Sequence, residues 1–315
     1  DIPDIDFQFS EIWLSSFVND LENTVGKNYE KILCVYKGFN LKFYYGEKDS
    51  YDFAEHILKL IIKRPEFGRK INYEIRKNSD VLKKECTKIS AEFLSKLPDK
   101  ELSDYYIKID KIHTELYTWG WLPNAVDMFH NNFTDYLKSI LKKKLPEDKI
   151  NPALVALSVS PEKSILQLEH ESFLNLVVMA QNVLMKSEEF KKIINPPTPP
   201  LYKGGKMGVA INKHLNKYFY LKHLWLGREG VYDFKYYERE IKKYIALAND
   251  ARPTIKKDAK IFKDSLRQRE KVIEELNLSK KEIALFNIYA DFAVTKVYRR
   301  DTQLYWAYKM DFIFE

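Results

Sequence analysis

The sequence predicts a mainly α-helical protein: a multi-helix bundle with a short N-terminal β-hairpin and a long C-terminal antiparallel helical hairpin. Three observations predict it. Apolar residues recur at three- and four-residue spacing through most of the 315 residues. Capping boxes stand at Ser164–Gln167 and Ser279–Glu282. Period-two alternation is confined to residues 31–45.

In chain order, a first helix is expected over Glu11–Val25, capped by Ser10. Leu33 and Val35 then alternate with polar neighbours, Gly38-Phe39-Asn40 supplies a turn, and Leu41, Phe43 and Tyr45 alternate again, which is a hairpin pattern. From Phe67 to Phe93, the residues Phe67, Ile71, Ile75, Leu82, Cys86, Ile89 and Phe93 form one helical stripe. A helix over Lys100–Tyr117 is expected to break at Trp119-Gly120-Trp121-Leu122-Pro123. Asn124 should cap the next, whose closing Lys142-Lys143-Lys144 complements the helix dipole. Residues 145–163, with Pro146, Pro152 and Pro161, read as a connection. They divide an N-terminal lobe, 1–150, from a C-terminal lobe, 151–315, unless the two run together as one continuous domain.

The helix opened by Ser164 places Leu166, Phe173, Val177, Ala180 and Leu184 on one stripe, with His170 among them between Glu169 and Glu171. A titratable ring on such a stripe either has a structural partner, the commoner outcome, or lines a pocket. A Pro-rich insertion covers 195–208, and its Pro196-Pro197-Thr198-Pro199-Pro200 run excludes helix and sheet. It resembles short peptides encoded by mobile palindromic DNA elements, so its deletion should leave function intact. Helices follow over Val209–Leu226 and after Asp233, the latter burying Tyr237, Ile241, Tyr244 and Ala248. Ile255, Ala259, Phe262, Leu266, Ile273 and Leu276 form a heptad-like stripe. After a staple between Leu278 and Ile283, Phe286, Ala290, Ala293, Val297, Leu304 and Ala307 continue the seam.

Composition bounds function loosely. Hydrophobic residues make up 45% of the chain, which argues against disorder, and 52 basic against 45 acidic side chains leave a mild net charge of +7. Cys34 and Cys86 have no metal-ligand spacing, and such cysteine usage suits a reducing cytoplasm. The longest apolar run, Phe173–Ala180, is too short for a bilayer, so no membrane span is expected. No secretory leader opens the chain, and its start at Asp1 reads as a trimmed piece of something longer. No Walker loop, dinucleotide fingerprint, nucleophile elbow or H-E-x-x-H occurs. Neither a metal, a cofactor nor a catalytic residue is therefore expected.

Two polar constellations remain. Arg269 and Arg300 fall on the C-terminal seam, where each needs a carboxylate (Glu270, Asp301 or Asp311) or an anionic ligand, while Arg299 reads as solvated. His214, Tyr218, Leu221 and Trp225 share one helical face, with His223 on the opposite side.

The segment Leu157–Glu169 (LSVSPEKSILQLE), then His214-Leu215-Asn216-Lys217-Tyr218, then Arg299-Arg300-Asp301, follow a familiar order. They resemble the helical region of uncharacterised phosphoenolpyruvate-utilising proteins of archaea and bacteria, relatives of phosphoenolpyruvate synthase and pyruvate phosphate dikinase. Glu169, His214, Lys217, Tyr218 and Arg300 stand where that pattern has its recurring polar residues. In that family the region is followed by a swivelling domain with a phosphorylatable histidine in a T-G-G-x-x-S-H-type segment, which this sequence lacks, as it lacks the ATP-grasp domain and the phosphoenolpyruvate barrel. The resemblance implies a non-catalytic, substrate- or partner-binding region of a phosphotransferase-like protein. Its ligand would be a small anionic or phosphorylated compound, and the swivelling domain would be its partner C-terminal to Glu315. Glu169, His170, His214, Lys217, Tyr218, Trp225 and Arg300 are the candidate ligand-binding residues. The lysines and tyrosines interleaved along the chain admit a nucleic-acid-binding module instead, and a purely structural or protein-interaction domain is the third reading.

Overall fold

The computed structural model describes residues 7–38, 40–184, 205–222, 230–247 and 250–314 and is mainly α-helical, with one two-stranded antiparallel hairpin near the N-terminus and a C-terminal helical hairpin. The described residues divide between two compact units. One holds those up to Glu162 and from Ser265 onward, and the other those within Lys163–Lys222 and Gly230–Asp264.

In the first unit, α1 (Phe7–Ser15) passes through a π-helical turn (Ser16–Asp20) into α2 (Leu21–Val25). Gly26, at φ 74°, ends it in the left-handed conformation that favours glycine. Ser10 lies buried inside α1 and is no cap. Strands β1 (Ile32–Lys37) and β2 (Asn40–Tyr45) pair Ile32 with Tyr45, Cys34 with Phe43 and Tyr36 with Leu41, and these six residues pack toward the core. Leu33 and Val35 therefore face outward, at 59% and 43% exposure, against expectation. Five successive apolar residues in β1 fit either face, so the pairing register settles which one is buried.

Helices α3 (Glu47–Lys63), α4 (Pro65–Thr87), the short α5 (Ala91–Leu94), α6 (Asp99–Ala125), α7 (Asn132–Lys142) and α8 (Glu147–Leu157) follow. The stripe Ile71, Ile75, Leu82 and Cys86 of α4 is fully buried, as its periodicity requires. Helix α6 runs straight through Trp119-Gly120-Trp121-Leu122-Pro123 instead of breaking there. Every residue from Leu116 to Pro123 is buried, and that packing outweighs the cost of an internal proline, about 3 kcal/mol. Asn124 consequently sits within α6. Asp127 takes the capping role, its carboxylate accepting from the Phe133 and Thr134 amides at 2.8 and 3.1 Å and from the Thr134 hydroxyl at 2.9 Å. The segment 145–163 is not a bare connection either, since α8 fills most of it with Pro152 inside.

Helix α12 (Ala251–Glu275) turns through Asn277, at φ 46°, into α13 (Lys280–Phe314). The second capping box closes as expected: the Ser279 amide donates to Glu282 at 2.7 Å and the Glu282 amide to the Ser279 hydroxyl at 3.2 Å. At about 1.5 Å per residue, α13 is the longest rod in the unit. Its main packing partners are α4 and α6. Its buried surface consequently wraps well beyond one seam: Leu285, Phe286, Ile288, Ala290, Phe292 and Val294 are all buried, whereas Ala293, on the expected seam, is exposed. Gly68 of α4 permits the close approach, because a Cβ there would lie 2.7 Å from Ile288 Cδ1. Arg269 bonds the Leu157 carbonyl at 3.3 Å and the Asn287 carboxamide, not a carboxylate. Asp301 instead receives Lys83 at 2.9 Å.

The second unit contains α9 (Ile165–Leu184), α10 (Gly205–Tyr218) with a 3-10 turn after it, α11 (Phe234–Ala246) and the residues of α12 up to Asp264. Ser164 and Gln167 close the first capping box reciprocally, at 2.8 and 3.3 Å. Leu174, Leu176, Val177, Ala180, Met207, Ile211, Tyr237 and Ile241 form the core. Leu166 is 56% exposed and His170 is exposed too, so the expected stripe is covered only from about Phe173 onward. The first turns of a helix can extend beyond its neighbours, and periodicity does not reveal where cover begins. Residues 205–208, assigned to the Pro-rich insertion, form the first turn of α10, where Met207 is buried. The rest of that insertion, together with His223, Trp225 and Ala248, lies outside the described residues, as does the Leu184 side chain. No described helix is long and apolar enough to cross a membrane.

Candidate functional site

The second unit brings together part of the expected constellation. Glu169 and Ser172 stand three residues apart on one face of α9, and His214 and Tyr218 four apart on α10. His214 is 3% exposed. Its Nδ1 lies 2.8 Å from the Ser172 hydroxyl and its Nε2 3.2 Å from Glu169 Oε1. A carboxylate only accepts, so Nε2 donates to Glu169, while Nδ1 and the serine hydroxyl share the second hydrogen bond. The Tyr237 hydroxyl of α11 donates to the same Glu169 oxygen at 3.2 Å. Burial, reinforced by the Glu169 charge, drives the Tyr237 pKa upward. The Tyr237 and Tyr218 rings flank the imidazole at 4.5 and 4.9 Å. Lys217 is exposed, its ammonium 5.1 Å from the Tyr218 ring centre. The order serine, histidine, glutamate is that of a proton relay. Here each group also satisfies the next, which makes the cluster a polar lock between three helices.

The first unit holds a different constellation, around a cavity of about 490 Å³. Helix α1 contributes Phe9 and Trp13, α6 contributes Tyr117, Trp121 and Asn124, and α13 contributes Lys296, Arg299, Arg300 and Gln303, with Asp127 and Met128 completing the lining. Trp13 stacks on Tyr117 at 5.3 Å and 18°, and Tyr117 on Trp121 at 6.3 Å and 24°. Arg299 holds its guanidinium 5.3 Å from the Tyr117 ring centre and donates through Nη1 to the Gly120 carbonyl. Gly120 makes the room: a Cβ there would lie 2.3 Å from Arg299 Cδ.

Several donors beside this cavity have no acceptor. Arg299 Nε and Trp13 Nε1 are buried without a hydrogen-bond partner. Behind them, the fully buried His113 receives Gln303 at 2.9 Å on Nε2, which leaves its Nδ1–H without an acceptor. Burial, with the charge of Arg299, pushes the His113 pKa down to about 3, so the ring is neutral at ordinary pH. Burial also lowers the pKa values of Arg299 and Lys296, the cost of holding cations away from water. Three cations therefore line a site whose one carboxylate, Asp127, is already engaged in capping α7.

The expected residues divide between these places. Glu169, His214 and Tyr218 converge, Lys217 sits at their edge and His170 points outward. Arg300 belongs to the cavity of the first unit but is exposed there, and the inner cation is Arg299, against the expectation that it is solvated. The spacing contained the signal: Arg299 lies seven residues after Phe292 and four and seven before Gln303 and Trp306, all buried. Ser172, Tyr237, Lys296 and the aromatic wall carried no motif. Among the described residues, no three His, Cys, Asp or Glu side chains are grouped to hold a metal ion. No known protein family, curated protein or solved structure matches this chain.

Proposed function

We propose that this chain is a non-catalytic, ligand-binding helical region of a phosphoenolpyruvate-utiliser-like phosphotransferase, and that the cavity between α1, α6 and α13 holds a small anionic or phosphorylated ligand. The observation that carries the reading is the inward Arg299 lining a 490 Å³ cavity whose one carboxylate, Asp127, is already engaged by the Phe133 and Thr134 amides. A cation so placed gains a charge-assisted bond when an anion enters. Lys296 and Arg300 add positive potential to the same side. The order of the LSVSPEKSILQLE segment, His214–Tyr218 and Arg299-Arg300-Asp301 supports the family assignment, in which a phosphohistidine swivelling domain is the partner. Phosphoryl transfer would then take place on that neighbour, with this chain holding the acceptor or its product.

Calorimetric titration with phosphoenolpyruvate and with inorganic phosphate tests the proposal. Binding is expected for the native chain, and Arg299→Met should weaken it by about tenfold or more, the worth of one charged hydrogen bond. Absence of binding by either anion to the folded native chain would refute the reading.

A further inference from the structure

We infer that the second unit binds the phosphate backbone of nucleic acid along an exposed lysine row of α10. The inference goes beyond the small-anion reading of the first unit and does not depend on it.

The chain's net charge of +7 belongs to the sequence of this unit: outside Lys163–Lys222 and Gly230–Asp264, acidic side chains outnumber basic ones by one. Its helices differ in whether their cations are matched. On α11, Arg239 and Lys243 pair with Glu240 at 3.3 and 2.9 Å, and Lys242 pairs with Glu238 at 2.9 Å. On α10, Lys206, Lys213 and Lys217 are exposed and no carboxylate occurs from Gly205 to Tyr218. None of these three lysines makes an ion pair among the described residues. Offsets of seven and eleven residues place them within about 40° of one another around the helix axis. Lys213 and Lys217, four residues apart, repel each other, so the row weakens the isolated helix. Lys256, Lys260 and Lys263 of α12 are likewise exposed and without an ion pair among the described residues, although Asp258 and Asp264 share that stretch.

A polyanion with closely spaced charges relieves that repulsion. From Lys206 to Lys217 the row spans about 16 Å at 1.5 Å per residue, the length of roughly five phosphates of one strand at 3.4 Å each. The rest of the face separates nucleic acid from a membrane. Asn212 and Asn216 stand among the lysines, and Val209 is the one exposed apolar side chain of α10. A helix lying in a bilayer surface needs an apolar face to bury there, and that of α10, with Met207 and Ile211, is already spent on the core of the unit. Lysine holds phosphate as a point charge, and backbone contacts of this kind carry no sequence information.

Fluorescence anisotropy of the whole chain with a labelled DNA duplex of about 20 base pairs tests this, at salt rising from about 50 mM. Binding is expected at the low end, with log affinity falling against log salt by about 0.9 for each phosphate neutralised. Duplexes of unrelated sequence should bind alike. Lys206→Gln, Lys213→Gln and Lys217→Gln together should weaken binding about tenfold or more and flatten the salt slope by about 3. Should that variant not fold, Lys213→Gln alone should flatten the slope by about 1. Arg239→Gln with Lys243→Gln, which removes matched cations of α11, should weaken binding far less. Absence of binding at low salt, or an equal loss from the α10 and α11 sets, would overturn the inference. Tighter binding to phosphatidylserine vesicles than to the duplex would overturn it in favour of a membrane surface. The anion reading of the first unit is decided separately, by its own titration.

Discussion

The two polar constellations differ in whether their donors are satisfied. Around His214, each of Ser172, Glu169 and Tyr237 is in hydrogen-bond contact with another member of the cluster, at 2.8 to 3.2 Å. Around Arg299, the atoms Arg299 Nε, Trp13 Nε1 and His113 Nδ1 have no acceptor, and Arg299 and Trp13 line a cavity. A closed network contributes stability and specificity of packing, because breaking it strands buried groups. An open one costs stability until something enters. The chemistry of a titratable cluster, here histidine with a carboxylate and a hydroxyl, is thus a poorer guide to binding than the balance of its donors and acceptors.

The comparison predicts opposite responses to one kind of substitution. His214→Ala removes a buried ring and takes from Ser172 and Glu169 the imidazole partner each has. It should cost about 2–5 kcal/mol in denaturant unfolding and leave anion affinity unchanged. Arg299→Met removes a buried cation whose Nε is unsatisfied along with its bond to the Gly120 carbonyl, so stability should change by less than about 1 kcal/mol while anion binding weakens about tenfold or more. If both variants lose stability alike, the distinction between lock and receptor fails.

Acid should act next most strongly, through His113. Its folded pKa of about 3 lies far below the ordinary value, so below about pH 6.5 the unfolded chain binds a proton that the folded chain refuses. The stability it supports is complete above pH 6.5 and is lost progressively as pH falls toward 3, amounting to a few kcal/mol. His113→Gln should flatten that decline in unfolding measured across pH 3–7, and an unchanged slope would place the acid sensitivity elsewhere. A smaller effect is expected of Gly120→Ala. The new methyl would meet Arg299 Cδ, costing about 1–3 kcal/mol and weakening anion binding by displacing the guanidinium.

The fold was legible where periodicity and caps agreed. The α4 stripe, both capping boxes and the hairpin location follow directly from residue spacing. Legibility failed where packing overrode local signals. Pro123 and Gly120 look like breakers, yet the buried end of α6 absorbs one and uses the other to admit Arg299. The outward turn of Leu33 and Val35 was hidden by apolar residues on both faces of β1. For the site, His214 and Tyr218 stand out in the sequence by their shared helical face, and Glu169 by the family resemblance and its place beside His170. The aromatic wall was missed because Trp13, Tyr117 and Trp121 look like ordinary core, and only three-dimensional placement shows the space beside them. Arg299 was passed over in favour of Arg300 because the C-terminal seam was read as one narrow stripe. A helix covered by both α4 and α6 buries a wider arc.

Orphaned atoms of Asn72, Asn78, Ser79, Asn132, Trp306 and Asp110, none of which lines the cavity, limit the rule that unsatisfied groups mark the receptor. Asp110, half-buried on α6, has its pKa raised to about 6 by burial and by the charge of Glu11, and its Oδ1 is buried without a partner. It is an acceptor, and it does not line the cavity. With a folded pKa above its unfolded value, the carboxyl prefers to keep its proton in the folded chain. Ionisation therefore destabilises the fold above about pH 6, and the penalty disappears as pH falls toward 4. Asp110→Asn should raise stability at pH 7 by about 1 kcal/mol, the shift being discounted for partial exposure, and by almost nothing at pH 4. Anion affinity should not change, since no donor of the cavity is touched. A gain equal at both pH values would trace the effect to amide hydrogen bonding. An altered anion affinity would show that the receptor extends further along α6 than its donors indicate.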